Sequence, residues 1–215
     1  MSIRKIPFVP EEHYHLYNRG GDKRKIFHTH NDYVRFLNIL YLANSDINFR
    51  LDRLKDIYSV ERGERLVSIG AYCLMSNHFH ILAKQEIDGG ISKFMHKVLT
   101  AYTMYYNTKY ERTGRLFEGK FKSQHLDSDE YLKYIFSYIH LNPIKLCEPK
   151  WKEIGIKDES RSMRFLENYA YSSYLDFYGN YREEKVILDL HQFPNYFPDQ
   201  KHFQKEILDW IHFKN

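Results

Sequence analysis

Cysteine is nearly absent. The 215 residues hold two, Cys73 and Cys147. Two thiols build neither a disulfide framework nor a cysteine-rich zinc site, so a reducing compartment, the cytoplasm, is expected. Cys73 lies in an apolar run and is expected in the core. No stretch approaches the roughly 18 apolar residues of a membrane span. The opening MSIRKIPFVPEEHYH has no apolar h-region, so a soluble, non-exported chain without a membrane partner is expected. A large excess of one charge is missing too. The net charge of +4 permits a nucleic-acid partner without demanding one. There is no internal repeat and no low-complexity tract.

What the chain has in quantity is aromatic residues, 17% of the total, with 19 Tyr and 15 Phe. These serve either a heavily aromatic core or faces on which bases stack. A hydrophobic content of 43% is enough for a proper core, and the length fits one domain with extensions. Positive charge gathers in two stretches. Arg4, Lys5, Arg19, Lys23, Arg24 and Lys25 stand against Glu11, Glu12 and Asp22; Lys109, Arg112, Arg115, Lys120 and Lys122 stand against Glu111 and Glu118. Each is either an ordinary solvated surface or a track for phosphates.

Residues 13 to 19, HYHLYNR, alternate as a strand does and end at Gly20-Gly21-Asp22. Lys23 to Phe27 is expected to continue as a short extended piece. Asn31 or Asp32 caps a helix with Tyr33, Phe36, Leu37, Leu40 and Tyr41 at helical spacing, reaching about Ala43. Residues 45 to 63 show no period and read as a loop or insertion. RLVSIGAYCLM, 65 to 75, is a second strand, in a hairpin with a third that holds HFHILAK. A second amphipathic helix spans Ile91 to about Thr108. The basic loop YERTGRLFEGK leads to a fourth strand around Lys120 to Leu126. Asp127 or Ser128 caps a third helix carrying Tyr131, Tyr134, Ile135, Tyr138 and Ile139. Asn142-Pro143 ends it, because proline disfavours a helical residue before it.

The order β-α-β-β-α-β, then a helix, gives an α+β class: a ferredoxin-like βαββαβ antiparallel sheet with a third, tyrosine-bearing helix and a C-terminal extension. Its first and third strands are central. Residues 1–145 make the main domain, and 146–215 are expected to pack on it. Within that extension an aromatic segment, 165 to 179, folds back on the core. FPNYFP, 193 to 198, is an extended loop, and a final helix lies in 199 to 213.

His78-Phe79-His80 is the focus of the chain. On a strand, residues two apart share a face, so the two imidazoles stand together with Phe79 behind them. Such a pair can grip a divalent ion, and it also occurs as plain hydrogen-bonded sheet residues. The third helix offers Tyr138 and Asn142, one turn apart on one face. An asparagine carbonyl is a suitable ligand for Mg²⁺ or Mn²⁺. Tyr131 and Tyr134 share roughly that face and are rival nucleophiles on spacing alone.

His78-Phe79-His80 resembles the His-hydrophobe-His motif of HUH nucleases. Tyr138-Ile139-His140-Leu141-Asn142-Pro143 is similar to the Tyr-Ile-x-x-Asn-Pro segment of the REP-associated tyrosine transposases, in the HUH single-tyrosine, IS200-like family. Tyr14 to Gly20, Gly114 to Ser123 and Tyr171-Ser172-Ser173-Tyr174 extend the resemblance. It implies metal-dependent cleavage and strand transfer of single-stranded or hairpin DNA through a 5′-phosphotyrosine. It implies Tyr138 as nucleophile and His78 and His80 as ligands of Mg²⁺ or Mn²⁺. Asn142 is the candidate third ligand, although related transposases place Gln there. Arg19, Arg115, Lys120 and Lys122 are the expected backbone contacts, and relatives occur as monomers or homodimers. Two other readings stay open: a domesticated module that binds structured DNA or RNA without cutting, and a metal-dependent phosphodiesterase that activates water.

Overall fold

The computed structural model describes residues 7–212. Arg4 and Lys5 of the first basic stretch, and the last residue of the expected final helix, lie outside them. Four strands form one antiparallel sheet in the order β2-β3-β1-β4: β1 (His13–Arg19), β2 (Val67–Met75), β3 (His78–Gln85) and β4 (Lys122–His125). With α1 (His30–Ala43), α2 (Gly90–Lys109) and α3 (Asp129–Leu141) this is the expected βαββαβ order followed by a helix. Beyond α3 come four more helices, α4 (Ile144–Cys147), α5 (Trp151–Ile154), α6 (Glu159–Glu167) and α7 (Tyr174–Phe177), and then α8 (Gln200–His212).

The strands alternate their side chains between two cores. One face, with Leu16, Tyr72, Leu74, Phe79 and Ile81, packs on Phe36, Leu40, Phe94 and Tyr102 of α1 and α2. The other, with Ala71, Cys73, Met75 and Leu82, packs on Leu132, Ile135, Phe136 and Ile139 of α3. Because α3 lies over β2 and β3, the β1–β4 half of that face stays more open, and Lys122 and Gln124 are exposed there. Residues 144–212 add a third cluster, in which Ile144, Leu166, Tyr174, Phe203 and Ile207 bury one another. Part of this segment covers the free edge of β2. Leu74 N–H donates to the Tyr171 carbonyl (2.9 Å), Ser173 N–H to Tyr72 (3.0 Å) and Asp189 N–H to Ile69 (2.9 Å). An edge satisfied in this way does not invite pairing with another chain. Gly70, at an irregularity in the β2–β3 register, is required by packing. A Cβ there would come within 2.8 Å of two Phe193 ring carbons.

Several local expectations are corrected. The cap of α1 is Thr29, one turn before Asp32, which instead accepts the Thr29 N–H from inside the first turn. Lys23 to Phe27 is no strand: Gly21–Lys23 is a single 3-10 turn, followed by an irregular passage. Residues 45–63 are largely irregular but not loose, since Leu51, Leu54, Ile57 and Val60 pack on the first core. β2 begins at Val67 and β4 spans only Lys122–His125, because its outer edge has no neighbour to extend it. Ser128, not Asp127, caps α3 and accepts the Tyr131 N–H. Asn142 keeps right-handed helical angles although proline follows, and the chain turns at once into α4.

Asp32 anchors α1 to α2. Fully buried, it accepts Tyr105 (2.9 Å), Tyr110 (2.6 Å), Lys109 (2.6 Å) and the backbone N–H groups of His28 and Thr29. Burial alone would raise its carboxyl, but these donors together hold it well below the ordinary 3.8. A group depressed on folding contributes stability in full above its unfolded value and loses it as pH falls below that value. Thermal melts of the wild type should therefore soften below about pH 4. Asp32→Asn should cost about 3 kcal/mol, a fall in Tm of roughly 6–12 °C at neutral pH, and should flatten that acid dependence.

Candidate active site

β3 places His78 and His80 on the α3 face, their ring centroids 5.0 Å apart and the planes nearly perpendicular. α3 brings the Tyr138 ring to 5.6 Å from His80. The reason is periodicity: Leu132, Ile135, Phe136 and Ile139 fix one stripe against the sheet, and Tyr138 falls at its margin over the end of β3. Tyr134 is one turn earlier. Its ring lies 5.9 Å from Tyr138 and 5.0 Å from Trp210 of α8, while Tyr131 stacks on Tyr134. Of the three tyrosines on this face, Tyr138 is the one whose ring meets the imidazoles.

The sequence reading missed His15. On β1, in the interior of the sheet, its Nε2 lies 2.8 Å from His80 Nδ1, and its ring also sits 5.8 Å from Tyr138. When His80 Nδ1 is the donor, the lone pair falls on His80 Nε2, a buried atom without a partner. His78 is fixed from the other side. Its Nδ1 lies 2.6 Å from the Asn77 side-chain oxygen, which only accepts, so its Nε2 also carries a lone pair. Burial pushes His15 and His78 down to about 4, and Lys145 and Arg19 add to the effect at His78. Burial, then His15 and His78, hold His80 far below its ordinary value. All three rings are neutral at pH 7.

Asn142 closes α3. Its amide N–H donates to the Tyr138 carbonyl (2.8 Å), which leaves its Oδ1 buried and unpartnered. Among the described residues no three His, Cys, Asp or Glu side chains converge as a metal-binding group. A third protein donor beside His78 and His80 must therefore be of another type. The chemistry of His78 Nε2, His80 Nε2 and Asn142 Oδ1 fits a divalent cation: neutral nitrogen lone pairs and an amide oxygen, two of the three atoms buried with nothing to bond. Burial raises the Tyr138 phenol above its ordinary 10, opposed by the Asn142 side chain.

The expected DNA contacts are divided. Arg19 pairs in register with His78, and its guanidinium is held by Glu118 at 3.0 Å. Arg19 and Arg115 line one cleft of about 430 Å³ together with Lys23, Arg24, Phe117 and Glu118. Lys122 is elsewhere, exposed on β4 opposite Tyr17, whose ring lies 5.9 Å from His80. Lys120 is exposed, between Glu118 and Lys122 in the chain.

A family model described as transposase IS200-like matches residues 9–142. A solved structure of a REP-associated tyrosine transposase bound to a REP hairpin is similar over 86% of this chain and 90% of its own, with a TM-score of 0.55 and 12% identity. At that identity the likeness is one of fold. No curated protein matches. Among the described residues no helix is long and apolar enough to cross a membrane.

Proposed function

The chain belongs to the IS200-like transposase family, and on that premise we propose that it cuts and rejoins single-stranded DNA, with Tyr138 as the attacking group. The observation that carries this reading is the Tyr138 ring 5.6 Å from His80, whose Nε2 is buried and unpartnered. His78, His80 and Asn142 would hold Mg²⁺ or Mn²⁺. When bound, such an ion supplies positive charge to the non-bridging oxygens of the scissile phosphate.

The chain's own groups do the rest. The Tyr138 phenol gives its proton to solvent and its oxygen bonds to phosphorus. The bond from phosphorus to the 3′ oxygen breaks, and that oxygen leaves as a hydroxyl with a proton from solvent. The 5′ end is then held as a phosphotyrosine, so a second 3′-hydroxyl can reverse the step and join strands. α3 keeps the phenol beside the histidines, which makes attack effectively intramolecular once DNA is bound. Arg19 and Lys122 flank the histidine face and would track phosphates on either side. Tyr17, half-buried next to Lys122, offers a ring on which an unpaired base can stack. Hairpin DNA is the proposed partner. The structure similar in fold carries a REP hairpin, and the cleft lined by Arg19, Lys23, Arg24 and Arg115 gives cations for a duplex backbone.

The test is a denaturing gel after incubation with a single-stranded oligonucleotide carrying a hairpin, in Mn²⁺. A protein band shifted by covalent DNA supports the reading; cleavage without any adduct supports water as nucleophile instead. His15 has its own expected effect. His15→Phe keeps a flat aromatic ring, somewhat bulkier than the imidazole, but removes the partner of His80 Nδ1. Calorimetric titration with Mn²⁺ should then show affinity lower by roughly 10–100-fold, the usual cost of losing such a partner.

A further inference from the structure

We propose that Lys145 and Lys152 form a cationic clamp that receives the scissile phosphodiester as Tyr138 attacks it. This rests on the reading of Tyr138 as nucleophile and adds the groups that hold its target. Both lysines lie beyond residue 142, where the family match stops. The break at Asn142-Pro143 turns the chain into α4 and α5, which bring it back over the end of α3. Lys152 Nζ is 4.0 Å from the Tyr138 ring centroid and Lys145 Nζ is 5.8 Å from it, so both ammonium groups crowd the nucleophile.

Both ammonium groups lie over the face of the Tyr138 ring, and Lys152 also over Trp151, a cation–π attraction that does not use their N–H donors. Lys145 is half-buried, while Lys152 is open to solvent on one side and so within reach of a ligand. Among the described residues neither ammonium has a hydrogen-bond acceptor or an ion-pair partner, although each carries three donors. Glu153 acts on both only at a distance. Burial and the repulsion between the two amines lower Lys152 to about 8, so bringing them together has a cost. Their charge also reaches His80, and that of Lys145 reaches His78. The Tyr138 ring thus has cations on one flank and the candidate metal donors on the other, so an anion that reaches its hydroxyl is met by positive charge from both. A phosphodiester is the anion that this fold's chemistry calls for. The lysines would donate to its non-bridging oxygens and keep their protons through the step, stabilising charge that grows as the bond to Tyr138 forms.

The experiment uses the full chain and two readouts. The first is the rate of covalent adduct formation on a hairpin-bearing single strand with Mn²⁺. The second, free of both metal and cleavage, is anisotropy of the same DNA on Tyr138→Phe in EDTA across a salt series. Lys152→Gln should slow adduct formation about 10²-fold, with Lys152→Arg returning most of the rate. Lys145→Gln with Lys152→Gln should flatten the slope of log affinity against log salt by up to about 1.4, or ~0.7 for each cation removed. Wild-type rate and slope in the double variant would overturn the clamp. So would a loss that arginine does not restore and that comes with a fall in Tm, since the lysines would then be structural. If the wild type forms no adduct while the slope still flattens, the lysines are DNA-backbone contacts only, and the nucleophile reading fails and takes the clamp with it; an adduct at the wild-type rate in the double variant overturns the clamp alone.

Discussion

Tyr138→Phe should bind a hairpin-bearing single strand within about threefold of wild type and form no covalent adduct. The substitution removes one hydroxyl from a ring that otherwise stays packed against His15, His80 and Tyr134. Removing a nucleophile from a preorganised site costs on the order of 10⁴-fold or more in rate, because the remaining groups have nothing to deliver. Stability should hardly move. The hydroxyl's hydrogen bond is to the Asn142 side chain, whose amide also donates to the Tyr138 carbonyl, so losing it costs no more than about 1 kcal/mol, and phenylalanine keeps the ring. Parallel measurements on Tyr134→Phe should show adduct formation near the wild-type level. Its ring faces Trp210, so it contributes packing and not chemistry. Cleavage that survives in Tyr138→Phe would point to water as the attacking group.

The second large effect is expected at the histidines, and His78→Ala is the cleaner variant. His78 is half-buried, and among the described residues its one side-chain hydrogen bond is to its neighbour Asn77, so truncation leaves little unsatisfied behind it. Mn²⁺ binding by calorimetry should drop below detection, and adduct formation should fall by roughly 10³-fold, as when a main source of charge stabilisation is removed. His80→Ala should lose as much activity and also cost about 1–3 kcal/mol of stability, because it leaves the buried His15 Nε2 without a partner. The gap in Tm between the two variants separates the role of each ring in chemistry from its role in the sheet. A metal-independent adduct at the wild-type rate in His78→Ala would remove the ion from the account.

Much of this arrangement was legible in the residues, for definite reasons. HYHLYNR alternates cleanly and is flanked by glycine, so β1 has the bounds its pattern suggests. The ferredoxin-like order fixes β1 and β3 as central strands, and the apolar stripe of α3 then puts Tyr138 over the histidines. His15 was not legible because its neighbour depends on strand register. It lies diagonal to His80 only because Tyr17 pairs with His80, and that pairing is set by the whole sheet. Lys145 and Lys152 were hidden for another reason. They sit in four-residue helices after a proline, too short to show a period, and the turn at Asn142 that returns them to Tyr138 contradicts the usual preference before proline. Thr29 was overlooked as a cap because Asn31 and Asp32 follow it and are better caps by type; the contacts of Asp32 with α2 decide the matter.

The most direct measurement is the position of the covalent bond. Wild-type protein trapped on a hairpin-bearing single strand, digested with protease and nuclease, should yield a single nucleotide-modified peptide in the mass spectrum, with the modification on Tyr138. A bond to Tyr134 or Tyr131, or a cut strand whose 5′ phosphate is free and attached to no peptide, would contradict a site in which the Tyr138 ring beside His80 is the attacking group.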